Sequence, residues 1–322
     1  VSSEKKVMRD VFIEQVYNRM SADKKLFFLA ADFGSPKLDK LRADYSDRFI
    51  NVGIAEQNLI NVAAGLALEG FTVYAYAIAP FMIMRAYEQI RNNLSLLSHT
   101  HEVNVNLVGV GAGLSYDVSG PTHHSIEDLS IIRTLPNISV FSPSDWVLAE
   151  KFVDYSIKNK KPKYIRFDGK PLPDIYGDKD GMDIEKGFFE LSKGEGICLI
   201  STGYMTHTAL RAVDKLRKDG VPVGLIDVFM IKPLNEVLLN EALGKYKCVI
   251  TIEEAFINKG GLDSMIAVFL GNKGHDIKLK RMGFKDAYVF DIGGRDYLHR
   301  LNGLDDESIV KTVRDSLREI KN

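Results

Sequence analysis

Cysteine is scarce in this sequence: of 322 residues only Cys198 and Cys248 carry a thiol, far apart and each inside an apolar run. Thiols so placed behave as small packed hydrophobes, and two of them suggest neither a disulfide framework nor a zinc site. Net charge is nearly absent as well. The 42 Lys and Arg against 43 Asp and Glu leave a formal charge of −1, so no overall field argues for nucleic acid or an anionic membrane as a partner. No apolar run approaches the length of a membrane span, and no charged-then-apolar leader opens the chain. These absences point to a reducing, cytoplasmic setting. Two short charged runs, Glu4–Lys6 and Lys158–Lys163, read as solvated. Neither an internal repeat nor a low-complexity tract is present.

What is there is the composition of a globular protein, 45% hydrophobic and 26% charged, at a length that suits two domains. Val7–Met20 has apolar residues at helical spacing. Short apolar runs of strand length then alternate with helical segments: strands at Lys25–Ala31, Phe49–Val52, Phe71–Ala77, Val103–Val110, Ile138–Phe141 and Tyr164–Phe167, and helices after Gly53, at Met82–Leu97, Ser125–Arg133 and Ser142–Ile157. Strands that are apolar throughout and alternate with helices predict an α/β fold, a parallel sheet with helices on both faces. Asp168–Gly187 carries Pro, Gly and charge without periodicity and reads as a linker. A second, smaller α/β set follows, with strands at Ile197–Ser201, Val223–Asp227 and Cys248–Ile252 and a closing helix at Asp306–Ile320. The expected organisation is therefore a first domain over 1–170, a linker over 171–187 and a C-terminal α/β domain over 188–322.

Ligands of parallel sheets bind outside the carboxyl ends of the strands. The loops expected there are Asp32–Pro36, Gly53–Glu56, Ala77–Phe81, Gly111–His124 and Phe167–Gly169. Glu56 stands in the first turn of a helix rich in Ala and Leu. It is either an acid favoured by the helix dipole or a buried acid with a task. Ser115–His124 is the most polar loop and presents two adjacent histidines, which on a turn can point apart. Thr122 and Ser125 also suit the cap of the following helix. His99 and His101 read as connector residues, and His207, His275 and His299 form no evident cluster. Gly109, Gly111 and Gly113 follow a strand, but no helix opens directly after them, so a dinucleotide loop fails its context test. Arg166, at the end of a strand, suits a phosphate or carboxylate, with Asp168 as a possible ion-pair partner instead.

Several motifs in order carry a resemblance: GIAEQ at 53–57, RAYEQ at 85–89, GPTHHSIED at 120–128 and LPNISVFSPSD at 135–145, then ISTGYMTHTAL, IKPLN and TIEEAFINKGG in the second half. Together they resemble the pyrimidine-binding and C-terminal domains of transketolases and of the related deoxyxylulose phosphate synthases, over nearly the whole chain. The resemblance implies a transferase that moves a two-carbon ketol unit from a ketose to an aldose with thiamine diphosphate and Mg2+. Glu56 would hydrogen-bond the pyrimidine ring nitrogen, making the exocyclic amine a better proton acceptor for activating the cofactor. Phe81, with Met82 as the alternative, would stack on that ring. Ile54 would line it, and Tyr87 would either support it or pack the core. His123 matches the substrate-cleft histidine, and Arg166, Arg9, Ser35, Asp32 and Ser119 would lie along the substrate.

Departures from the family pattern accompany these matches. Ser119 stands where an acid usually precedes Gly-Pro-Thr-His, Gly111 where a histidine is expected, and Ala255 where a histidine follows the double acid. These positions put an ordinary pentose phosphate substrate in question. No Gly-Asp-Gly followed by Asn at magnesium–diphosphate spacing occurs in this sequence. The expectation is one subunit of a split transketolase: the metal is held not by this chain but by an N-terminal subunit with the GDG…N motif, in an α2β2 heterotetramer. The alternatives are the β subunit of a 2-oxo acid dehydrogenase and a non-catalytic scaffold subunit.

Overall fold

The computed structural model describes residues 4–177 and 182–321. Its first half opens with strand β1 (Lys5–Val7) and helix α1 (Met8–Ala22). Then come β2 (Leu26–Ala30), α2 (Pro36–Asp44), β3 (Phe49–Asn51), α3 (Glu56–Leu68), β4 (Thr72–Ile78), β5 (Val105–Val110), α4 (Asp128–Arg133), β6 (Ser139–Phe141), α5 (Trp146–Lys158) and β7 (Lys163–Phe167). Five strand pairs in register give a parallel sheet ordered β6-β7-β5-β4-β2-β3. Its strands send alternate side chains to opposite faces, as a pleat requires. On β4, Val73, Ala75 and Ala77 meet α3 and α4, while Tyr74 and Tyr76 meet α1 and α5. Met8, Phe12, Ile13, Val16 and Met20 fix α1 by full burial, each contributing about 1.5–3 kcal/mol relative to exposure.

The sequence anticipates one regular helix over Met82–Leu97. The chain instead forms π-helical turns at Phe81–Arg85 and Ile90–Leu96, with a short α-turn, Tyr87–Gln89, between them. Wide turns of this kind often mark functional sites. Here the first one buries Met82 and Ile83 and leaves Met84 and Arg85 exposed. Helix α2 follows the expected Asp32–Pro36 turn, in a stretch to which the sequence assigns no element. Ser35 caps it, accepting from Lys37 N at 3.3 Å, and Pro36 occupies its first turn, the position where proline lacks nothing. Helix α4 starts at Asp128 rather than Ser125, so Thr122 and Ser125 do not cap it.

The second half supplies β8 (Pro171–Pro173), β9 (Phe188–Ser192), β10 (Gly196–Ser201), α6 (Met205–Lys218), β11 (Gly224–Val228), β12 (Met230–Lys232), α7 (Glu236–Leu243), β13 (Tyr246–Phe256), α8 (Leu262–Lys273), β14 (Lys278–Phe284), α9 (Arg295–Leu301) and α10 (Asp306–Lys321). A five-stranded sheet runs β14-β13-β10-β11-β9, antiparallel only at β9. Two strand pairings help tie the halves together. Strand β12 pairs antiparallel with β6 at the edge of the first sheet, and β8 pairs with β1. The stretch expected to be an irregular linker therefore begins as a strand; its residues 178–181 lie outside the described part of the chain.

Both cysteines are buried and free. The Lys158–Lys163 run is not wholly solvated. Lys163 is fully buried, and its ammonium donates to Asn104 Oδ1 at 2.7 Å and to the Lys161 carbonyl at 2.6 Å. Those acceptors offset the desolvation that pushes its pKa far down. Among the described residues no helix is long and apolar enough to cross a membrane.

Candidate active site

Glu56 opens α3 directly after β3, so the fold places it at the carboxyl edge of the sheet. It is 3% exposed. Its Oε2 accepts from Arg85 Nη1 at 2.5 Å, and the Arg85 guanidinium also lies over the Phe81 ring, 5.1 Å from its centroid. Phe81 meets His123 edge to face at 5.1 Å, and His123 meets Tyr116 the same way at 6.5 Å. The segments that follow β3, β4 and β5 thus put a carboxylate, a guanidinium, a ring, an imidazole and a phenol in one line. Met82 is wholly buried in the core, whereas Phe81 is half-buried, with the Arg85 guanidinium over its ring. Ile54 is 77% exposed in the turn before Glu56.

The line continues inward. Arg9, from α1, pairs with Asp10 at 3.2 Å and lies over Phe33 at 5.6 Å. Burial works against its charge, but Tyr76, Asp10 and Tyr116 outweigh that and raise its pKa. Arg9 is therefore not the solvated surface cation that an amphipathic helix suggests by default. Burial raises the Tyr116 phenol even though Arg9 opposes it. Asp32, exposed at φ 50°, accepts from Asn51 Nδ2 at 3.0 Å, and Ser119 is exposed on the Tyr116–Gly120 turn.

Three of the expected site residues are engaged within the chain. The Arg166 guanidinium is taken up by internal acceptors. It is 3% exposed, its Nε donates to Asp128 Oδ2 at 2.7 Å, and its Nη2 donates to the Ser125 carbonyl at 2.9 Å. Its partner acid is Asp128, since Asp168 belongs to Arg295. Ser35 is buried, and besides capping α2 its hydroxyl donates to Asp10 at 2.7 Å, so it anchors the partner of Arg9 instead of facing a substrate. Tyr87 is a packing residue: it lies against the core, and its hydroxyl is 2.9 Å from Thr134 Oγ1.

The adjacent histidines do point apart. His123 is half-buried beside Phe81, whereas His124 is buried, with its pKa lowered by desolvation. His207 and His299, expected to stand alone, flank Tyr204 at 6.0 and 5.6 Å. Sequence reasoning missed Arg85 and Tyr116 as site members. Arg85 was in view inside RAYEQ, but nothing in its spacing showed that it would reach Glu56. Gly111 carried the signal for Tyr116: at φ +105° it lacks a side chain where the Tyr116 ring lies. Among the described residues no group of three or more His, Cys, Asp or Glu side chains is placed to hold a metal ion.

A buried carboxylate, a half-buried aromatic ring and an imidazole at the carboxyl edge of a parallel sheet, with a second α/β unit packed on the same sheet, define a two-domain α/β enzyme subunit. Comparison with known proteins narrows the class. Residues 4–173 match the pyrimidine-binding domain of transketolase, and residues 189–309 match the transketolase C-terminal domain. An apulose-4-phosphate transketolase subunit of Actinobacillus succinogenes is 35% identical over 304 residues, covering 94% of this chain and 96% of its own. A putative transketolase C-terminal section of Methanocaldococcus jannaschii is 32% identical, covering 98% of this chain and 97% of its own. A solved structure described as a split-gene transketolase, an inactive β4 tetramer, superposes with a TM-score of 0.85 at 30% identity, covering 97% of this chain and 98% of that one. The chain belongs to the transketolase family. It is a transketolase-type transferase subunit, of a family that works with thiamine diphosphate, and neither the dehydrogenase nor the scaffold alternative is favoured.

Proposed function

We propose that this chain is the pyrimidine-side subunit of a two-chain transketolase. In that assembly thiamine diphosphate sits between it and a partner that holds the diphosphate and Mg2+ through a GDG…N motif. The observation that carries the reading is the line Glu56–Phe81–His123 at the sheet edge, with Ile54 exposed beside it. These side chains fit an aminopyrimidine: a carboxylate for a ring nitrogen, a half-buried ring for stacking once Arg85 moves aside and an apolar side chain at the rim. When bound, thiamine diphosphate supplies the carbon nucleophile that carries the two-carbon ketol unit from ketose donor to aldose acceptor. Glu56 shares a proton with the pyrimidine nitrogen. Phe81 and Ile54 hold the ring in place and keep water from it. His123 donates to oxygens of the substrate at the reacting carbons. Arg9 and Asp32 line the inner side of the substrate path and Ser119 its mouth, while Arg166 and Ser35 brace the loops and Tyr87 the helical run.

Support for the partner comes from the relatives. Among relatives that span nearly the same length, one is named as a transketolase subunit and another as a transketolase C-terminal section. We take the working unit as two copies of each chain in the cytoplasm, with 1–170 and 188–322 as its domains and 171–187 between them. Glu56→Gln keeps the shape of the side chain and removes its basic oxygen. In the reconstituted complex it should lower thiamine-dependent turnover at least about 100-fold while sedimentation still shows the assembled species. Full activity of that variant would sink the proposal.

A further inference from the structure

Tyr116 occupies a place that two other positions leave open. Gly111, at φ +105°, could carry a Cβ only by colliding with the Tyr116 ring. Across the ring, a Cβ on Gly169 would stand 3.2 Å from Tyr116 Cε1 and Cζ. The ring thus lies between the loops that follow β5 and β7, flush against two backbones without side chains. Its other neighbour is His123, whose imidazole meets it edge to face at 6.5 Å and Phe81 at 5.1 Å. The phenol oxygen is buried and has no hydrogen-bond partner among the described residues. Arg9 and Asp168 act on it only through space.

A buried hydroxyl without a partner costs free energy. The two glycines are fitted to the ring, not to the hydroxyl. An aromatic side chain wedged over two glycines is a rigid wall with two torsions and no room to swing toward either loop. Resting on the transketolase reading, we propose that Tyr116 is the specificity-determining wall of the substrate path. Its ring closes the space beyond His123 and limits the length of the aldose acceptor that the site takes. Tyr116 touches no reacting atom in this assignment; it acts by excluded volume.

The test has two arms. In the complex reconstituted with its partner, kcat/KM is measured at one fixed ketose donor for straight-chain 2-hydroxyaldehydes of increasing length. Tyr116→Ala should raise the ratio of long-chain to short-chain kcat/KM by about 10-fold, the scale of one or two added carbons in a fitted pocket. Tyr116→Phe keeps the wall and should leave that ratio where it is. An unchanged ratio in active Tyr116→Ala overturns the assignment, and so does a shift in Tyr116→Phe equal to that of Tyr116→Ala, which would make the hydroxyl the selector. The second arm needs no activity. Gly111→Ala should lower the melting temperature of the isolated chain, and Tyr116→Ala should remove the part of that loss that comes from the ring, leaving the strain of a side chain at φ +105°. Absence of such coupling overturns the geometry on which the wall rests. A wild-type complex without ketol transfer would refute the transketolase reading and leave this second arm intact.

Discussion

At Glu56 the carboxylate and its described partner form a pair whose two halves sit in different environments. Glu56 is buried, while the Arg85 side chain is 47% exposed. A half-exposed guanidinium holds a carboxylate weakly, since water screens the pair. The same guanidinium covers Phe81. Arg85 thus engages both groups assigned to the pyrimidine, and a planar cation with parallel N–H donors resembles an aminopyrimidine in what it offers a carboxylate. The expected consequence is competition. Arg85→Met keeps bulk over the ring and removes the donor, so the half-saturating thiamine diphosphate concentration of the reconstituted complex should fall by roughly 3- to 10-fold. A rise instead would make Arg85 a ligand of the cofactor. Glu56 and His123 draw attention in the sequence because an acid and an imidazole at strand ends are conspicuous by type, and the resemblance gives each a proposed role. Arg85 and Tyr116 do not, because their significance lies in neighbours 29 residues and 7 residues away that only the folded loops bring close.

Helix α3 is rich in small residues, which suit either the chain's own core or a partner. The fold divides it. Ala63, Ala64 and Ala67 pack into the chain's own core, and the exposed stripe is Asn58, Asn61, Gly65 and Leu68, in line with Ile54. That stripe runs from the candidate site along the open face, and we assign it to the partner interface. Gly65 separates the two roles experimentally, since a Cβ built there meets nothing within 4 Å in the isolated chain. Gly65→Ala should stabilise the free chain by about 0.5–1 kcal/mol, the cost of glycine inside a helix. Gly65→Trp should leave the free chain folded by circular dichroism and abolish assembly in sedimentation. Assembly of the Trp variant at wild-type affinity would move the interface elsewhere. The alternation of strands and helices was readable because burial on both faces imposes apolar runs. The π-helical turns at Phe81–Arg85 and the pairing of Pro171–Pro173 with Lys5–Val7 were not readable. A π turn shares its apolar spacing with an α-helix over so few residues, and strand pairing across the chain has no local signal.

Taken whole, the two large sheets meet across a buried ion network as well as through the β12–β6 pairing. Arg295, at the start of α9, donates Nε to Glu254 Oε1 at 2.8 Å, Nη2 to Glu254 Oε2 and Nη1 to Asp168 Oδ2 at 2.5 Å, and its backbone N–H donates to Asp117 at 2.7 Å. His299 adds a contact to Glu254 at 2.6 Å, and the guanidinium lies 3.6 Å from the Tyr204 ring centroid. Asp168 and Asp117 come from the first half, Glu254 and Arg295 from the second, so the network closes the joint behind the candidate site. No sequence spacing announces it, because 127 residues separate Asp168 from Arg295. Removing the shared cation leaves two buried carboxylates, and Arg295→Met should destabilise the chain by about 3–5 kcal/mol at pH 8. Burial works to raise the Glu254 carboxyl, but Arg295 and His299 outweigh it and hold it well below the usual 4.5. The stability from that depressed value is present above pH 4.5 and lost only in stronger acid. Asp168 runs the other way: burial raises its pKa despite Arg295, so its share is fullest in acid and declines as pH rises through the raised value. Without Arg295 both carboxyls prefer the proton, and protonation relieves the variant. The difference in melting temperature between wild type and Arg295→Met should therefore shrink steadily from pH 8 to pH 5. A difference that stays constant over that range would show that the two carboxylates find other cations when Arg295 is gone, and that the joint does not depend on this residue's charge.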